Sequence, residues 1–218
     1  MVALFAYDFL CWFFNSTVTT LAIAAGQIVV SMLAAFALSY YRSRYRKGIF
    51  AFLLSSMVIP FQVTMIPNYI LVSRLGMLDS LGAVVLPNLV SASTFFFLFQ
   101  HVRGIPLAYY EAASVEGADS WWSFRNVALP LCKSSIWAMF ILCVIDGWNQ
   151  YFWPLLVISS TRNRTLTIGL QQFLDHEAGN RWGPFMATAT LASFPVVIAY
   201  LFIRKHIVDA FVASGIKG

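Results

Sequence analysis

Residues 20–40 read TLAIAAGQIVVSMLAAFALSY, a run without a charged side chain. A helix of this length covers roughly 30 Å at about 1.5 Å per residue, which matches the hydrocarbon thickness of a bilayer. The run lies inside an uncharged window at 9–41. Four similar windows follow, at 48–73, 80–102, 134–161 and 182–203. Each is long enough for one membrane crossing, and Asp146 is the only charged residue inside any of the five.

The composition agrees with a protein that lies in lipid. Hydrophobic residues make up 60% of the 218 residues, charged residues make up 11%, and the mean hydropathy is +0.74, whereas an ordinary soluble domain is about 25% charged. Backbone groups in lipid must pair within their own segment, so the windows should be helices. A soluble protein with five such buried helices would have almost no polar surface to cover them. We therefore predict an all-α, polytopic membrane helical bundle that forms a single domain over residues 1–218, with five spans at about 15–40, 49–73, 81–101, 134–158 and 183–204.

Lys and Arg are distributed unevenly between the joints that connect these spans. The joints 42–47, 102–133 and 204–218 carry 4, 3 and 3 basic residues, whereas those near Arg74 and at 159–181 carry 1 and 3. Because positively charged joints stay inside the cell, the first set is predicted to be cytoplasmic, together with the C-terminus. The same charges suit anionic membrane lipid, and no basic run with interleaved aromatic residues indicates nucleic acid.

The sequence has few of the side-chain patterns that catalysis or metal binding needs. Its cysteines and histidines are scattered without CxxC or metal-ligand spacing: Cys11, Cys132, Cys143, His101, His176 and His206. Only Asp146 is charged at membrane depth, so there is no facing catalytic pair. The phosphate-binding pattern GxxxxGK[ST] is missing as well. We therefore predict no metal site, no cofactor bound by this chain, no catalytic residue and no enzyme activity.

The cytoplasmic joint contains a segment, 105–130, with its own helix signals. Pro106 suits the first turn of a helix, and Gly117 suits a C-terminal cap with positive φ. Asp119 or Ser120 can cap a second helix that begins with two Trp residues suited to the membrane interface. The segment therefore predicts a short helix, a tight turn and a second helix that lies below the membrane. Its small residues and exposed Glu side chains are suited to a groove on a partner protein.

Residues 111–131, EAASVEGADSWWSFRNVALPL, resemble the EAA motif of the membrane subunits of ABC importers. The matching positions are Glu111, Ala112, Ala113, Gly117, Leu129 and Pro130. FFNSTVTT (13–20), GWNQYFWPLLV (147–157) and TLTIGLQQF (165–173) are similar to the second permease of carbohydrate importers of the maltose and glycerol-phosphate type. The resemblance extends over essentially every residue after about 13. It implies the transmembrane fold of a type I ABC importer, which usually has six spans, so the family's first span is expected to be missing here.

The resemblance also implies a function and a set of partners. The expected function is that of a permease subunit in an ATP-driven, binding-protein-dependent importer of a sugar, an oligosaccharide or glycerol-3-phosphate in the bacterial inner membrane. Its six motif residues would couple it to the ATPase. The implied partners are a second permease subunit with an EAA motif, which forms a heterodimer with this chain, two cytoplasmic ABC ATPase subunits and an extracytoplasmic solute-binding protein. ATP and Mg would be used by the ATPase.

Asp146 lies near the centre of the predicted span 134–158, where a carboxylate costs at least about 2.5 kcal/mol on insertion scales. Such a group is usually paired or faces a water-filled path. We expect Asp146, Trp148, Asn149 and Gln150 to line the translocation path, because amide groups beside an aromatic ring suit a sugar. A hydrogen bond to the sister subunit is the alternative.

The longest external joint, 159–181, lies where the family reaches toward its binding protein. Thr167, Gln171 and Gln172 are the candidate contacts with that protein. A loop that only covers the helix ends is the alternative for most of the joint.

A different class of function also fits a membrane bundle with one buried carboxylate. In an ion-coupled secondary transporter or a channel subunit, Asp146 would be the ion or proton site. That function predicts inverted halves or paired broken helices, and the sequence shows no such symmetry.

Overall fold

The computed structural model describes residues 2–41, 44–173 and 182–215, and all regular secondary structure in these ranges is helical. The helices are α1 (Val2–Tyr40), α2 (Arg46–Ser55), α3 (Phe61–Arg74), α4 (Leu81–Val85), α5 (Ala92–Arg103), α6 (Leu107–Val115), α7 (Ser120–Ser123), α8 (Leu129–Leu131), α9 (Lys133–Trp148), α10 (Phe152–Val157), α11 (Leu166–Gln171) and α12 (Trp182–Gly215). Three 3₁₀ turns lie at Ser56–Val58, Leu86–Asn88 and Thr161–Asn163, and a π-helical turn lies at Phe124–Ala128. The predicted all-α class is confirmed. Part of the joint 159–181, including His176, lies outside the described residues.

α1 is the axis against which α5 and α9 pack. Its segment Asp8–Tyr40 is long and apolar enough to cross a membrane by itself and begins before the predicted span 15–40. Ala24 and Ala35 are fully buried, and a Cβ placed on Gly26 would meet the side chain of Leu89. Small residues therefore let the neighbouring segments approach α1 closely.

Three apolar stretches are helices with a sharp bend. The axis turns by 99° between Arg46–Val58 and Phe61–Arg74, by 46° between Leu81–Asn88 and Ala92–Arg103, and by 75° between Ser120–Leu131 and Lys133–Trp148. Pro60 explains the first bend, because proline lacks an N–H and pushes the residue before it toward an extended conformation. Ile59 has that conformation, with φ −79° and ψ 114°.

The predicted spans at 49–73, 81–101 and 134–158 are not continuous helices. The first is divided into α2 and α3, the second into α4 and α5, and the third into α9 and α10, with irregular backbone at 149–151. By length and composition, the described residues contain one helix that could cross a membrane, or up to four if each bent pair is one span, and a shorter apolar helix at Trp182–Ile198. The number of crossings therefore stays a prediction.

Buried apolar residues form separate clusters along α1. Met32, Ala35 and Phe36 pack with α5, α6 and the π-helical turn near the end of α1 at Tyr40. Ile23 packs with Val72, Val84 and Trp153, and Trp12 packs with residues of α9 and α11. The bundle therefore has one cluster beside the segment 105–130 and two beside the opposite end.

Candidate functional site

Breaks in three helices meet at one pair of adjoining cavities. One cavity, of about 490 Å³, is lined by residues on both sides of the breaks at 59–60 and 89–91. Its neighbour, of about 440 Å³, is lined by the break at 149–151. Phe61, Asn88 and Asp146 line both. Irregular backbone at membrane depth is tolerated where it is buried in protein or lines a cavity with water, so this region is the candidate solute path.

Hydrogen bonds made by three side-chain amides hold the walls of this cavity together. Gln150 donates from Nε2 to Asn88 Oδ1 over 3.0 Å, and Gln27 donates from Nε2 to the carbonyl of Asn88 over 2.8 Å. Thr94 then donates from Oγ1 to Gln27 Oε1 over 3.1 Å. Asn88 itself donates from Nδ2 to the carbonyl of Val84 over 2.8 Å. α1, the end of α4, α5 and the α9–α10 break are thus joined through Gln27 and Asn88.

The four predicted path residues do not share one environment. Asp146 and Asn149 are exposed on the cavity wall, and Gln150 is half-buried there. Within the described residues, no hydrogen bond or ion pair holds the carboxylate of Asp146. Asn149 donates from Nδ2 to the carbonyl of Ile145 over 2.8 Å.

Trp148 lies on the opposite side of α9. Its Nε1 donates to the carbonyl of Ala192 over 3.0 Å, and its ring lies 5.3 Å from that of Phe13 in an edge-on arrangement. The ring is 8% exposed. Trp148 therefore packs α9 against α1 and α12, and we assign it a packing position outside the path.

Sequence reasoning missed several polar residues of the cavity. They line it from α1, α3, the end of α4 and α5: Gln27, Thr64, Asn68, Asn88, Ser91 and Ser93. Their signal is visible in the sequence, because Gln27, Asn68 and Asn88 are amides inside uncharged, apolar windows. Intramembrane polar residues usually face the bundle interior or a water-filled cavity.

The first half of the segment 105–130 has the local structure that its sequence predicts, whereas the second predicted helix is the short α7 followed by the π-helical turn at Phe124–Ala128. α6 begins directly after Pro106, and the turn that follows has Gly117 at φ 81°. The N–H of Ala118 bonds to the carbonyl of Ala113 over 3.0 Å, and that of Gly117 to Ser114 over 3.1 Å. This is the bonding pattern of a glycine C-cap. Asp119 caps α7 by accepting from the N–H of Trp122 over 2.7 Å.

The two faces of α6 differ. Tyr110 and Ala113 are buried toward the bundle, whereas Glu111, Ala112 and Val115 are exposed, Val115 by 88%. Ala113, expected to permit docking of a partner, is therefore an inward packing position. At the other end of the motif, Leu129 is half-buried and Pro130 is exposed in the first turn of α8.

The segment 159–173, the described part of the joint predicted to be external, is fastened to the first half of α1. Asn15 donates from Nδ2 to the carbonyls of Arg162 and Arg164 over 2.8 and 2.9 Å. Trp12 donates from Nε1 to the carbonyl of Thr161 over 2.9 Å, and its ring occupies the space that a Cβ on Gly169 would need. These contacts fix the backbone that carries α11.

The predicted binding-protein contacts lie on this segment. Gln171 and Gln172 are exposed and line a groove of about 310 Å³ with Arg164. Gln171 also accepts from the Tyr151 hydroxyl over 2.6 Å. Thr167 instead turns inward, where its Oγ1 donates to the carbonyl of Gln150 over 2.8 Å. It supports the break at 149–151.

Comparison with known proteins identifies the family. Residues 27–212 match the family of the binding-protein-dependent transport system inner membrane component. The chain is 36% identical over 202 residues to the sn-glycerol-3-phosphate transport system permease protein UgpE of Agrobacterium fabrum, which covers 92% of this chain and 72% of that protein. It is 33% identical over 207 residues to the arabinooligosaccharides transport system permease protein AraQ of Bacillus subtilis, with 95% and 73% covered.

Solved structures share the fold. A bacterial ABC transporter involved in the import of the acidic polysaccharide alginate has a chain that matches with a TM-score of 0.82 at 22% identity, covering 91% of this chain and 75% of that one. The bacterial alginate transporter in complex with an alginate pentasaccharide-bound periplasmic protein matches with a TM-score of 0.68 at 16% identity, covering 91% and 79%. The chain therefore belongs to the family of inner membrane components of binding-protein-dependent transport systems, the permease subunits of ABC importers.

Proposed function

We propose that this chain couples the closure of an ATPase to alternating access of its cavity during import of a carbohydrate. The observation that carries the proposal is the packing of the segment 105–130 against a helix that walls the cavity. Phe36 and Tyr40 of α1 lie 6.1 and 5.4 Å from the ring of Tyr110. Gln27 lines the cavity from the same helix, roughly 14 Å from Phe36 along the axis at about 1.5 Å per residue.

α9 supplies a second link between the same two regions. It begins at Lys133, directly after α8, and Asp146 lies in its last turn. A displacement of the segment 105–130 would therefore move two walls of the cavity together. A rigid-body transition of this kind has two discrete states, one open to each side of the membrane.

The exposed face of α6 is the proposed docking surface for the ATPase. Glu111 can pair with a cationic side chain, and Ala112 leaves room for close approach. Gly117 shapes the turn, while Ala113, Leu129 and Pro130 hold the segment in place. ATP and Mg²⁺ are bound and used by two ATPase subunits, and this chain performs no hydrolysis and binds no cofactor of its own.

The proposed assembly contains a second permease subunit with its own EAA motif. Large apolar side chains are exposed on α3 and α12 and suit contact with lipid or with that subunit: Val63, Ile66, Met186 and Phe194. The distribution of Lys and Arg supports a multi-pass orientation with the segment 105–130 and the C-terminus in the cytoplasm. On the other side, Gln171 and Gln172 are the proposed contacts with the solute-binding protein.

The solute class is supported by the relatives. Their names give sn-glycerol-3-phosphate and arabinooligosaccharides as the solutes of those proteins. Amide and hydroxyl groups beside aromatic rings, as found on the cavity wall, are the groups that bind polyhydroxylated molecules. A carbohydrate is therefore the proposed solute of this chain.

The experiment that tests the function is uptake into proteoliposomes that contain the chain assembled with its second permease, ATPase and binding protein. Glu111→Lys combined with Val115→Glu should abolish ATP-dependent uptake and ATPase co-purification, because both changes alter the exposed face of α6. Arg103→Gln is the matched control, since it changes an exposed charge on α5 outside that face. Uptake by the lone chain in ATP-free vesicles would overturn the proposal and favour an ion-coupled transporter or a channel.

A further inference from the structure

The charge pattern of the paired cavities bears on the kind of solute that they can accept. Among the described residues that line them, Asp146 is the only charged side chain. The other polar groups are amides and hydroxyls, including Gln27, Asn88 and Asn149. Phe61, Tyr151 and Trp153 supply aromatic surface. The lining therefore offers one negative charge, many neutral hydrogen-bonding groups and no cation.

The carboxylate of Asp146 is available to a solute. It is exposed on the wall shared by the two cavities, and no hydrogen bond or ion pair within the described part of the chain satisfies it. The basic residues nearest in sequence are Lys133 and Arg162, which are 13 and 16 residues away and outside the apolar window. Its carboxylate therefore faces the cavity, and none of the described residues neutralises it.

A fixed negative charge acts strongly on ions that enter such a space. Low-dielectric walls focus the field, so that cations are concentrated and anions are depleted relative to bulk water. A carboxylate also accepts hydrogen bonds from hydroxyl groups and cannot donate to a phosphate or a uronate. Arg and Lys are the side chains that most often bind those anions, and the described lining contains neither.

We propose that Asp146 is a specificity-determining residue that makes this cavity reject anionic solutes and accept uncharged polyhydroxylated ones, such as neutral oligosaccharides. The solute-specific part rests on the proposed function, whereas the charge selection is a property of the cavity itself. This proposed solute differs from the anionic solutes that the names of UgpE and of the alginate importer give for those proteins. It agrees with the arabinooligosaccharides in the name of AraQ.

Charged thiol reagents test the selection without any need for transport. Asn149→Cys places a thiol beside Asp146 on the cavity wall. Cys11→Ala removes the one native cysteine of the described residues that is partly exposed. Cys132 and Cys143 are buried and should not react. The assembled complex is treated with a cationic trimethylammonium-ethyl methanethiosulfonate and, separately, with an anionic sulfonatoethyl methanethiosulfonate. The measured quantity is the ratio of the two labelling rates.

At position 149 the ratio of the cationic to the anionic labelling rate should be at least about tenfold higher than at Gln100→Cys. Gln100 is an exposed reference position on α5, outside the cavities and outside the proposed docking face of α6. Adding Asp146→Asn should reduce the ratio at position 149 to that of the reference and leave the reference unchanged. An equal ratio in both backgrounds would overturn the proposal, because it would mean that a partner subunit neutralises Asp146. A thiol at position 149 that reacts with neither reagent would also overturn it.

A transport measurement separates this inference from the proposed function. Wild-type complex that imports sn-glycerol-3-phosphate or an alginate oligosaccharide in an ATP-dependent manner would support the proposed function and overturn the charge selection. A wild-type complex that shows the expected labelling ratio but no ATP-dependent uptake would support the charge selection and overturn the proposed function. Uptake of a neutral arabinooligosaccharide, with at least a tenfold preference over sn-glycerol-3-phosphate that Asp146→Asn weakens, supports both.

Discussion

Asp79 and Ser160 are joined by two hydrogen bonds at the end of the bundle opposite the segment 105–130. The carboxylate Oδ1 of Asp79 accepts from the N–H of Ser160 over 2.9 Å and from its Oγ over 3.0 Å, and also from the N–H of Ser159 over 3.0 Å. Asn163 donates to the carbonyl of Asp79 over 2.6 Å. Asp79 has φ 58°, a left-handed conformation that Asp tolerates better than most residues. One residue therefore ties the turn after α3 to the segment after α10.

Asp79→Asn should lower stability and remove a pH dependence. The backbone N–H of Ser160, followed by the N–H of Ser159, lowers the pKa of Asp79 below its ordinary value of 3.8. A lowered folded-state pKa means that the stabilisation is fully present above about pH 3.8 and is lost as the pH falls through the folded pKa. Asn keeps the tolerance of positive φ and an oxygen that can accept the same hydrogen bonds, but it loses the charge. The expected cost is about 1 kcal/mol, the difference between hydrogen bonds to a charged and to a neutral acceptor.

Thermal unfolding of the assembled complex in detergent, measured between pH 7 and pH 3, checks this prediction. Wild type should lose stability more steeply than Asp79→Asn toward the acidic end. Parallel curves for the two proteins would contradict the assigned role of the carboxylate.

Gly117→Val should weaken the coupling between the ATPase and transport, and it should do so only by straining the backbone. With φ 81°, Gly117 has nothing within 4 Å of the position that its Cβ would take, so the penalty is conformational, about 1–2 kcal/mol for a residue with a side chain in the left-handed region. Gly117→Asn is the matched variant, because Asn enters that region at lower cost. ATPase activity stimulated by the binding protein should fall in the order Gly, Asn, Val. Equal activity in all three would show that this turn does not transmit motion.

Local backbone signals in the sequence were sufficient for the segment 105–130. Pro106, Gly117 and Asp119 act on their own neighbours, so a helix start, a turn and a cap could be predicted at single positions. The breaks at 89–91 and 149–151 could not be predicted in this way. Pro87 and Pro154 lie near them, but Pro154 is inside α10 and the 46° bend follows Asn88. These breaks depend on packing between elements distant in sequence, such as the bond from Trp153 Nε1 to the carbonyl of Ala83 over 3.0 Å.

The same limit applies to the cavity. Asp146 is prominent in the sequence because a charge in an apolar window is rare. Gln27 and Asn88 are 61 residues apart, and their pairing follows from the way α4 packs beside α1. Asp146 and Trp148 are both in α9 and two positions apart, which is about 200° around the helix, so periodicity does place them on opposite faces. Asn149 and Gln150 follow the end of α9, and helix periodicity does not predict where their side chains lie.

Tyr110→Phe should leave stability unchanged or increase it slightly. The hydroxyl of Tyr110 is buried and has no hydrogen-bond partner within the described residues, and burial raises the pKa of Tyr110 to about 12, so the group stays neutral. Removing an unpaired polar group changes stability by about 1 kcal/mol or less in this direction.

Tyr110→Ala removes the ring between Phe36 and Tyr40 and should cost about 3–5 kcal/mol, as expected for deletion of a buried aromatic side chain. Chemical denaturation of the purified complex distinguishes the two variants, and a strongly destabilised Tyr110→Phe would indicate that a partner subunit binds the hydroxyl.

Asn88→Leu should impair transport more than assembly. Asn88 receives hydrogen bonds from Gln27 and Gln150, on two different walls of the cavity. Leu preserves approximate volume but removes the side-chain acceptor that Gln150 uses, and it leaves Nε2 of Gln150 without its partner at a cost of about 1–3 kcal/mol. The α9–α10 break should then lose its fixed position relative to α4, and ATP-dependent uptake should fall at least tenfold.

Co-purification with the ATPase should be retained, because the segment 105–130 is untouched. Gln100→Leu is the control, since Gln100 is an exposed amide on α5 that lies outside the cavities and outside the segment 105–130. Equal uptake by Asn88→Leu and wild type would mean that the amide network does not position the cavity walls during transport.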